Sequence, residues 1–450
     1  MKVDRDSLAE TSTHEVALDC LEAGIRGAHP ARVVDRRVGL DGDRLSVDGA
    51  TYDLAAYRQV LVLGGGNAAG TVAASLEEEL GDRIDGGVVV TDVLDDATEV
   101  ELVEGDHPVP SERGMAGAER VRAPAEAATE ETLVLGVVTG GGSALLPAPA
   151  DDLSLENVQQ VTDELLASGA AIDEINAVRK HLSALKGGRL AEAAAPATVV
   201  GLVFSDVVGN DLDVVASGPF VPDASTYEEA LAVVNPETGV LRFDVPASVR
   251  TRLERGVQGD VPETPDPGDP VFEGVETHVL ADGFTALDAA RDEAVERGYD
   301  AHVLSSRIRG EAREAARSHV AIAEEMRATG NPFDPPAVVL SGGETTVTLR
   351  GDGDGGPNQE FALSAALELD EENVVVASVD TDGVDGASEA AGAVVDARTV
   401  TDDESDAHDA LEGNDSLPFL DAHDALVVTG PTGTNVNDLR VMVVESDVSR

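Results

Sequence analysis

The chain has 450 residues, of which 42% are hydrophobic, so it is long and apolar enough for two or three domains with buried cores. Asp and Glu number 87 against 31 Lys and Arg, which gives a formal net charge of −56. Such a charge repels nucleic acid phosphates and anionic lipid surfaces, and the absence of Trp argues against a base-stacking platform. Nucleic acids and membranes are therefore not expected as partners.

The distribution of charge predicts a protein of a salt-rich cytoplasm. The only lysines are Lys2, Lys180 and Lys186, while acidic residues are spread along the whole chain, as expected for a halophilic host.

The first 20 residues contain no apolar signal-peptide core, and no run of 18 apolar residues occurs. A single cysteine, Cys20, excludes an intramolecular disulfide framework.

Short apolar runs alternate with Ala-rich stretches, which is typical of βαβ units with a mostly parallel sheet. The first half is predicted to contain strands at 59–63, 87–90, 133–138 and 198–204. The helices between them are predicted at 71–80, 113–129, 154–168 and 173–194. Ligands of such sheets bind at the carboxyl ends of the strands.

A segment rich in Pro, Gly and Asp, 255–274, predicts a linker between an amino-terminal domain, 1–254, and a carboxy-terminal domain, 275–450. Strands are predicted in the second domain at 277–280, 302–304, 337–340 and 374–379, and helices at 284–297 and 309–327. The predicted fold class is α/β, with two α/β domains, mostly parallel Rossmann-like sheets and a ligand-binding interdomain cleft.

Two glycine-rich loops follow predicted strands of the first domain. The first, LGGGNAAG at 63–70, contains Gly64, Gly66 and Asn67 and fits a loose dinucleotide pattern, with Asp92 after the next strand; a tight turn without a ligand is the alternative. The second, TGGGSALLPAP at 139–149, lacks the P-loop Lys but is suited to an anion nest. Its candidate binding residues are Gly140, Gly141, Gly142 and Ser143.

A basic segment, INAVRKHLSALKGGRLA at 175–191, contains two of the three lysines. Its candidate residues are Arg179, Lys180, His181, Lys186 and Arg189. Arg179, Lys186 and Arg189 have a spacing that shares one helix face, which favours an electropositive patch for phosphate or carboxylate. The alternative is a helix with ordinary surface salt bridges.

Polar clusters follow other predicted strands. After the strand at 198–204, Asp206 is suited to a general base or a Mg²⁺ ligand, and Asn210 lies in the turn that follows. Candidate ligand-binding residues of the second domain are Asn358, Thr432, Thr434 and Asn435, and candidate metal ligands are Glu344, Asp382 and Asp385. The loop DTDGVDG at 380–386 lacks the downstream Glu of an EF-hand.

Together these motifs resemble the glycerate 2-kinase family with a carboxy-terminal MOFRL domain, whose members are also described as hydroxypyruvate reductases. The segments that carry the resemblance are GDHPVPSE at 105–112, the loop at 139–149, 169–191, SDVVGNDLDVVASGPFVPD at 205–223, SGGETTVTLRG at 341–351, DTDGVDG and GPTGTNVND at 430–438. The resemblance implies phosphorylation of the 2-hydroxyl of glycerate, or of a related sugar acid, by ATP and Mg²⁺.

Under this resemblance Asp206 positions or deprotonates the hydroxyl, Arg179 and Lys180 stabilise phosphoryl or carboxylate charge, and Glu344, Asp382 or Asp385 binds Mg²⁺. Two positions depart from the family: Asn67 stands where it has Lys, and Pro357 where it has Arg. The alternatives are an NAD(P)H-dependent hydroxypyruvate reductase and a non-catalytic paralogue that binds a sugar acid or nucleotide. A homodimer is left open.

Overall fold

The computed structural model describes residues 5–235, 245–370, 373–401 and 403–446. Its helices are α1 Arg5–Leu8, α2 Ser12–Ala28, α3 Pro30–Arg37, α4 Ala69–Leu80, α5 Glu112–Glu126, α6 Gly142–Leu145, α7 Leu155–Ser168, α8 Ile172–His181, α9 Arg189–Ala194, α10 Tyr227–Val233, α11 Ala247–Val257, α12 Gly283–Glu296, α13 Ala312–Thr329, α14 Pro357–Glu368, α15 Glu404–Gly413 and α16 Ser416–Ala422. Its strands are β1 Val38–Asp41, β2 Arg44–Val47, β3 Ala50–Asp53, β4 Gln59–Gly65, β5 Gly86–Thr91, β6 Val100–Glu104, β7 Thr132–Thr139, β8 Thr198–Phe204, β9 Val275–Ala281, β10 Asp300–Glu311, β11 Ala337–Thr346, β12 Val374–Asp380, β13 Gly392–Val395, β14 Leu426–Val427 and β15 Asp438–Val444.

The chain forms two compact units: the first unit is 33–280, and the second unit is 281–450 together with 1–32. This division differs from the predicted boundary at both ends. Helix α2 belongs to the second unit, where Leu18 and Leu21 share an apolar core with Leu287 of α12 and Leu439 of β15. Strand β9 is hydrogen-bonded at the edge of the first unit's sheet instead of starting the second domain.

The first unit is built on a six-stranded sheet in the order β6-β5-β4-β7-β8-β9. The pairs β4/β5, β4/β7, β5/β6 and β7/β8 are parallel, which confirms the predicted α/β fold. All eight residues of β7 are buried, as expected for a continuous apolar run in the middle of a parallel sheet. A separate antiparallel sheet of β1, β2 and β3 precedes it.

The carboxyl ends of β4, β5, β7 and β8 lie at one edge of this sheet because the four strands are parallel. The two glycine loops, Asp92 and Asp206 therefore follow strands that end at the same edge. The predicted helix over 173–194 is wrong in its middle: α8 ends at His181, and α9 begins at Arg189. Gly187 and Gly188, at φ +58 and +77, adopt the left-handed conformation directly before α9, so a continuous helix through them is excluded.

The second unit has a six-stranded mixed sheet in the order β10-β11-β15-β12-β13-β14. Only β10/β11 is parallel among its recorded pairs, and the others are antiparallel, unlike the mostly parallel sheet predicted. The connections 381–391 and 428–437 contain no helix, so they cannot make the crossovers that parallel pairs require. Among the described residues, no helix is long and apolar enough to cross a membrane.

Candidate active site

The two glycine loops of the first unit are hydrogen-bonded to each other. The amide of Asn67 donates to the carbonyl of Gly140 at 2.8 Å, and the amide of Ala68 donates to Thr139 Oγ1 at 3.2 Å. A Cβ at Gly66 would lie 2.1 Å from Thr139 Oγ1, so glycine is required there by the neighbouring loop. The space over Gly66 is therefore filled by protein, which weakens the dinucleotide interpretation of this loop.

Asn67 is fixed between two neighbours at the end of β4. Its Nδ2 donates to Oδ2 of Asp92 at 2.6 Å, and its Oδ1 lies against the second loop, where a Cβ at Gly141 would be 1.7 Å away. The hydroxyl of Thr91 donates to the Asn67 carbonyl at 3.0 Å. The Asp92 carboxylate, which completes the loose dinucleotide pattern in the sequence, thus accepts a hydrogen bond from the Asn67 side chain.

Asp206, two residues after the end of β8, also lies against the second loop. It is half-buried, and a Cβ at Gly140 would be 2.1 Å from its Oδ2. The absence of a side chain at Gly140 therefore lets this carboxylate reach the loop. Asn210 follows in the same connection, in a left-handed conformation at φ +59, and its amide donates to the Val207 carbonyl at 3.0 Å.

A cavity of about 290 Å³ adjoins the second glycine loop. Gly141 and Ser143 line it, together with Arg179 and Lys186 from the basic segment and His107. Proline, alanine, valine and leucine side chains form much of the remaining wall. No Asp or Glu lies among the described residues that line this cavity.

The two cations of the cavity lack a carboxylate partner in the part of the chain that the structure describes. The ammonium group of Lys186 donates to the carbonyl of Leu146 at 2.9 Å, and the residue is 6% exposed. Burial, together with the neighbouring charge of Arg179, lowers the pKa of Lys186 to about 7. Burial likewise lowers the pKa of Arg179 from its ordinary value. The cavity is therefore suited to an anion.

Ser143 is the first of three polar side chains that are linked in series by hydrogen bonds. Its Oγ lies 2.8 Å from Oγ of Ser217, and the Ser217 hydroxyl donates to Oδ1 of the buried Asn176 at 3.0 Å. Ala216 and Ser217 have positive φ values of 50 and 59, which few non-glycine residues adopt. The sequence analysis missed Asn176 and Ser217; the only signal was a polar Asn within the apolar face of α8.

Lys180 and His181 have other partners. The Lys180 ammonium is 3.3 Å from Oδ1 of Asp223 and also pairs with Asp213, and its side chain is 1% exposed. The His181 ring lies 2.7 Å from the Ala177 carbonyl and 3.0 Å from a Glu263 carboxylate oxygen. Neither residue lines the cavity with Arg179 and Lys186.

In the second unit, Asn358 and Asp385 hold the start of α14. The amides of Asn358 and Gln359 donate to the two carboxylate oxygens of Asp385 at 2.9 and 2.8 Å. The Asn358 side chain donates to Oδ1 of Asp438 at 2.7 Å and is buried. The Asp385 carboxylate therefore caps the amino terminus of α14, where it is stabilised by the amides that have no partner within the helix.

The predicted threonine and asparagine ligands stabilise the loop before β15. The hydroxyl of Thr432 donates to the Thr381 carbonyl at 2.6 Å, and that of Thr434 donates to the Ala28 carbonyl at 2.9 Å. Oδ1 of Asn435 accepts from the Asn437 amide at 3.2 Å. The contacts of these three side chains are thus with the loop itself, with Thr381 directly after β12, or with the end of α2.

The predicted metal ligands are not gathered into one group. Glu344 is an exposed residue of β11, and Asp382 accepts from the Val384 amide at 2.8 Å. Within the described ranges, no group of three or more His, Cys, Asp and Glu side chains is placed to hold a metal ion.

Two protein families match separate segments of the chain, in the same order along the sequence as its two six-stranded sheets. Residues 16–254 match a domain of unknown function, DUF4147, and residues 337–438 match the MOFRL family. The chain is therefore a two-domain α/β protein of the class that combines a DUF4147 domain with a MOFRL domain.

Individual relatives cover nearly the whole chain. It is 37% identical to glycerate 2-kinase of Pyrococcus horikoshii over 97% of this chain and 98% of that one. The crystal structure of glycerate kinase from Thermotoga maritima is similar at a TM-score of 0.81 and 37% identity, over 96% of this chain and 99% of that one. An Agrobacterium vitis protein, provisionally named a hydroxypyruvate reductase, is 41% identical over 85% of this chain and 87% of its own. The chain belongs to the glycerate 2-kinase family, which confirms the resemblance.

Proposed function

We propose that this protein is a glycerate 2-kinase, which transfers the γ-phosphoryl group of ATP to the 2-hydroxyl of glycerate or a closely related sugar acid. Relatives named glycerate 2-kinase or glycerate kinase, similar over nearly the whole chain, support the reaction. The observation in the structure that carries the proposal is the placement of Asp206 against Gly140, in the same glycine loop that lines a cavity with two cations.

In the proposed reaction, Asp206 orients the substrate hydroxyl and accepts its proton. The C2 oxygen bonds to the γ-phosphorus of ATP as the bond from that phosphorus to the ADP oxygen breaks. Phosphoryl transfer depends mainly on positioning and on neutralising charge. Arg179 and Lys186, which line the cavity beside the loop, would contribute by binding an anionic group of the substrate. Loop 140–143 would hold an anionic group close to Asp206.

Magnesium is part of the proposal because it neutralises phosphate charge in most kinases. Mg²⁺ usually retains several waters and takes only one or two protein carboxylates, so a group of three is not required. Asp382 and Glu344 fit this role better than Asp385, whose two oxygens accept amide hydrogen bonds from α14.

The test is an ADP-release assay with D-glycerate and a panel of sugar acids in molar KCl. Adding enolase without a mutase identifies the product, because only 2-phosphoglycerate is dehydrated directly. We expect ADP release with D-glycerate, and a loss of about 10²–10⁴-fold in kcat for Asp206→Asn. Asp211→Asn, the same change on an exposed residue of the same connection, is the matched control. Absence of ADP release with every acid would contradict the proposal.

Hydroxypyruvate reduction is the second candidate, favoured by the name of the Agrobacterium vitis relative. The filled space over Gly66 opposes it. The assay is the loss of NADH or NADPH absorbance with hydroxypyruvate under the same salt conditions. A non-catalytic paralogue, which the departures at Asn67 and Pro357 would suit, would bind a sugar acid tightly without turnover in either assay.

A further inference from the structure

Lys186 is exceptional among the buried cations of the described structure, and the half-buried Arg179 beside it shares its lack of a carboxylate partner. Elsewhere a buried cation is neutralised by a carboxylate, as in Lys180 with Asp223 at 3.3 Å and Arg313 with Glu360 at 2.8 Å. In a chain with 87 acidic residues and 31 Lys and Arg, a carboxylate would be readily available as a partner. Yet in the described structure these two side chains have none, although each faces the cavity beside the glycine loop.

Burying a cation without a counter-ion is costly, so a cavity that retains two of them is suited to a ligand that brings a negative charge. We propose that Arg179 and Lys186 form the subsite for the carboxylate of the substrate, an assignment that rests on the proposed function. The cavity of about 290 Å³ is at the lower end of ligand pockets, which fits a three-carbon acid better than a nucleoside triphosphate. The guanidinium fork of Arg179 matches a carboxylate in two hydrogen bonds.

Carboxylate binding at this subsite would be coupled to proton uptake. Lys186 has a pKa of about 7, so above neutral pH much of it is uncharged in the free protein. A bound carboxylate favours the charged form, raises that pKa and draws a proton from solution. The other titratable groups on the cavity wall are Arg179 and His107, and no carboxylate is among the described lining residues. Affinity should therefore fall by up to about tenfold per pH unit above pH 7.

The experiment is isothermal titration calorimetry of D-glycerate without nucleotide, from pH 6 to 9, in molar KCl. Parallel titrations in buffers with different ionisation enthalpies give the number of protons taken up. We expect close to one proton at pH 8.5 and little uptake at pH 6. Lys186→Arg should bind without this uptake, because arginine stays charged across the range. His107→Gln should leave the uptake at pH 8.5 unchanged.

Charge removal provides the second readout. Lys186→Met and Arg179→Met should each weaken D-glycerate binding at pH 7 by about tenfold or more. Arg58→Gln, an exposed cation paired with Glu131, removes the same charge elsewhere and should bind as the parent does. Lys186→Arg retains the buried charge, so the conclusion does not depend on whether the Met variants fold.

The assignment would be overturned by proton uptake that persists in Lys186→Arg, by parent-like binding of both Met variants, or by no binding of D-glycerate to the parent. Tighter binding of inorganic phosphate in competition with D-glycerate would also overturn it, since the subsite would then be for a phosphoryl group. If the protein turns over but D-glycerate binding does not depend on pH, the subsite assignment is contradicted and the kinase proposal is retained. If binding is coupled to proton uptake but no ADP is released, the kinase proposal is contradicted and the carboxylate subsite is retained.

Discussion

The ammonium group of Lys180 lies 3.3 Å from Oδ1 of Asp223, with side chains that are only 1% and 0% exposed. The Asp223 carboxylate also accepts hydrogen bonds from the Ser225 amide at 2.9 Å and the Thr264 hydroxyl at 2.9 Å. Burial alone would raise the pKa of Asp223, but Lys180 and these donors lower it below its ordinary value. The pair thus connects α8 to two later segments of the first unit.

Lys180→Met should destabilise the protein instead of selectively abolishing turnover. It leaves the Asp223 carboxylate buried without its cation, and breaking a buried ion pair in this way costs about 3–5 kcal/mol. Lys180→Met combined with Asp223→Asn should recover part of the loss. Urea unfolding in molar KCl measures both variants. A Lys180→Met protein that unfolds like the parent but is inactive would instead support a catalytic Lys180.

The hydrogen bond between Asn67 and Asp92 can be tested by exchanging its two residues. Asn67→Asp places a second carboxylate where the two side chains are now 2.6 Å apart, and the repulsion should displace the first glycine loop. We expect kcat/KM to fall by about tenfold or more, equivalent to about 1.4 kcal/mol. Adding Asp92→Asn restores an amide–carboxylate pair in reverse and should recover most of the activity. A double variant as impaired as the single one would contradict this role for the bond.

Local sequence patterns were sufficient to predict four of the six strands of the first unit's sheet, β4, β5, β7 and β8, whereas β6 was not predicted and β9 was expected in the second domain. Continuous apolar runs such as 133–138 are typical of strands buried on both faces, and β7 is such a strand. Glycine loops and Asp206 directly follow these runs, so a parallel arrangement brings them to one edge of the sheet. The meeting of Asn67 and Asp206 at the second glycine loop follows from that geometry.

Non-local packing could not be predicted in the same way. The apolar pattern of β15 marks a strand, but not its insertion between β11 and β12, which makes the second sheet mixed. Likewise, the apolar face of α2 indicates that this helix packs against another element. The pattern does not show that the packing partner is α12, more than 250 residues later in the chain. The sequence alone does not distinguish Lys180 from Lys186. Their roles differ because the fold places the carboxylates of Asp213 and Asp223 beside Lys180 and a backbone carbonyl beside Lys186.

His319 should make the second unit sensitive to acid. Burial lowers its pKa to about 4, with Arg440 acting in the same direction, while its ring lies 2.7 Å from the Ala315 carbonyl and 2.8 Å from Ser341 Oγ. The folded ring stays neutral where the unfolded ring takes up a proton, near pH 6.5. The free energy of unfolding should therefore fall between about pH 6.5 and 4, by about 3 kcal/mol from this residue.

Urea unfolding across this pH range, with the parent and His319→Gln, measures the contribution. In His319→Gln, the free energy of unfolding should depend less on pH, by an amount equivalent to the uptake of up to one proton. His408→Gln, which changes a side chain that is 56% exposed, should show the same pH dependence as the parent. Equal pH dependence in all three proteins would contradict a buried neutral His319.

Salt should control stability, because a net charge of −56 makes the folded chain repel itself. The Debye length falls from about 10 Å at 0.1 M to about 3 Å at 1 M, so added KCl screens this repulsion and should raise the thermal midpoint steeply. A variant that removes three exposed charges of α15, with Asp406→Asn, Asp409→Asn and Glu412→Gln, should melt higher at low salt and respond less to KCl. Thermal melts followed by circular dichroism provide the measurement, and a flat midpoint from 0.1 to 3 M KCl would contradict a halophilic adaptation.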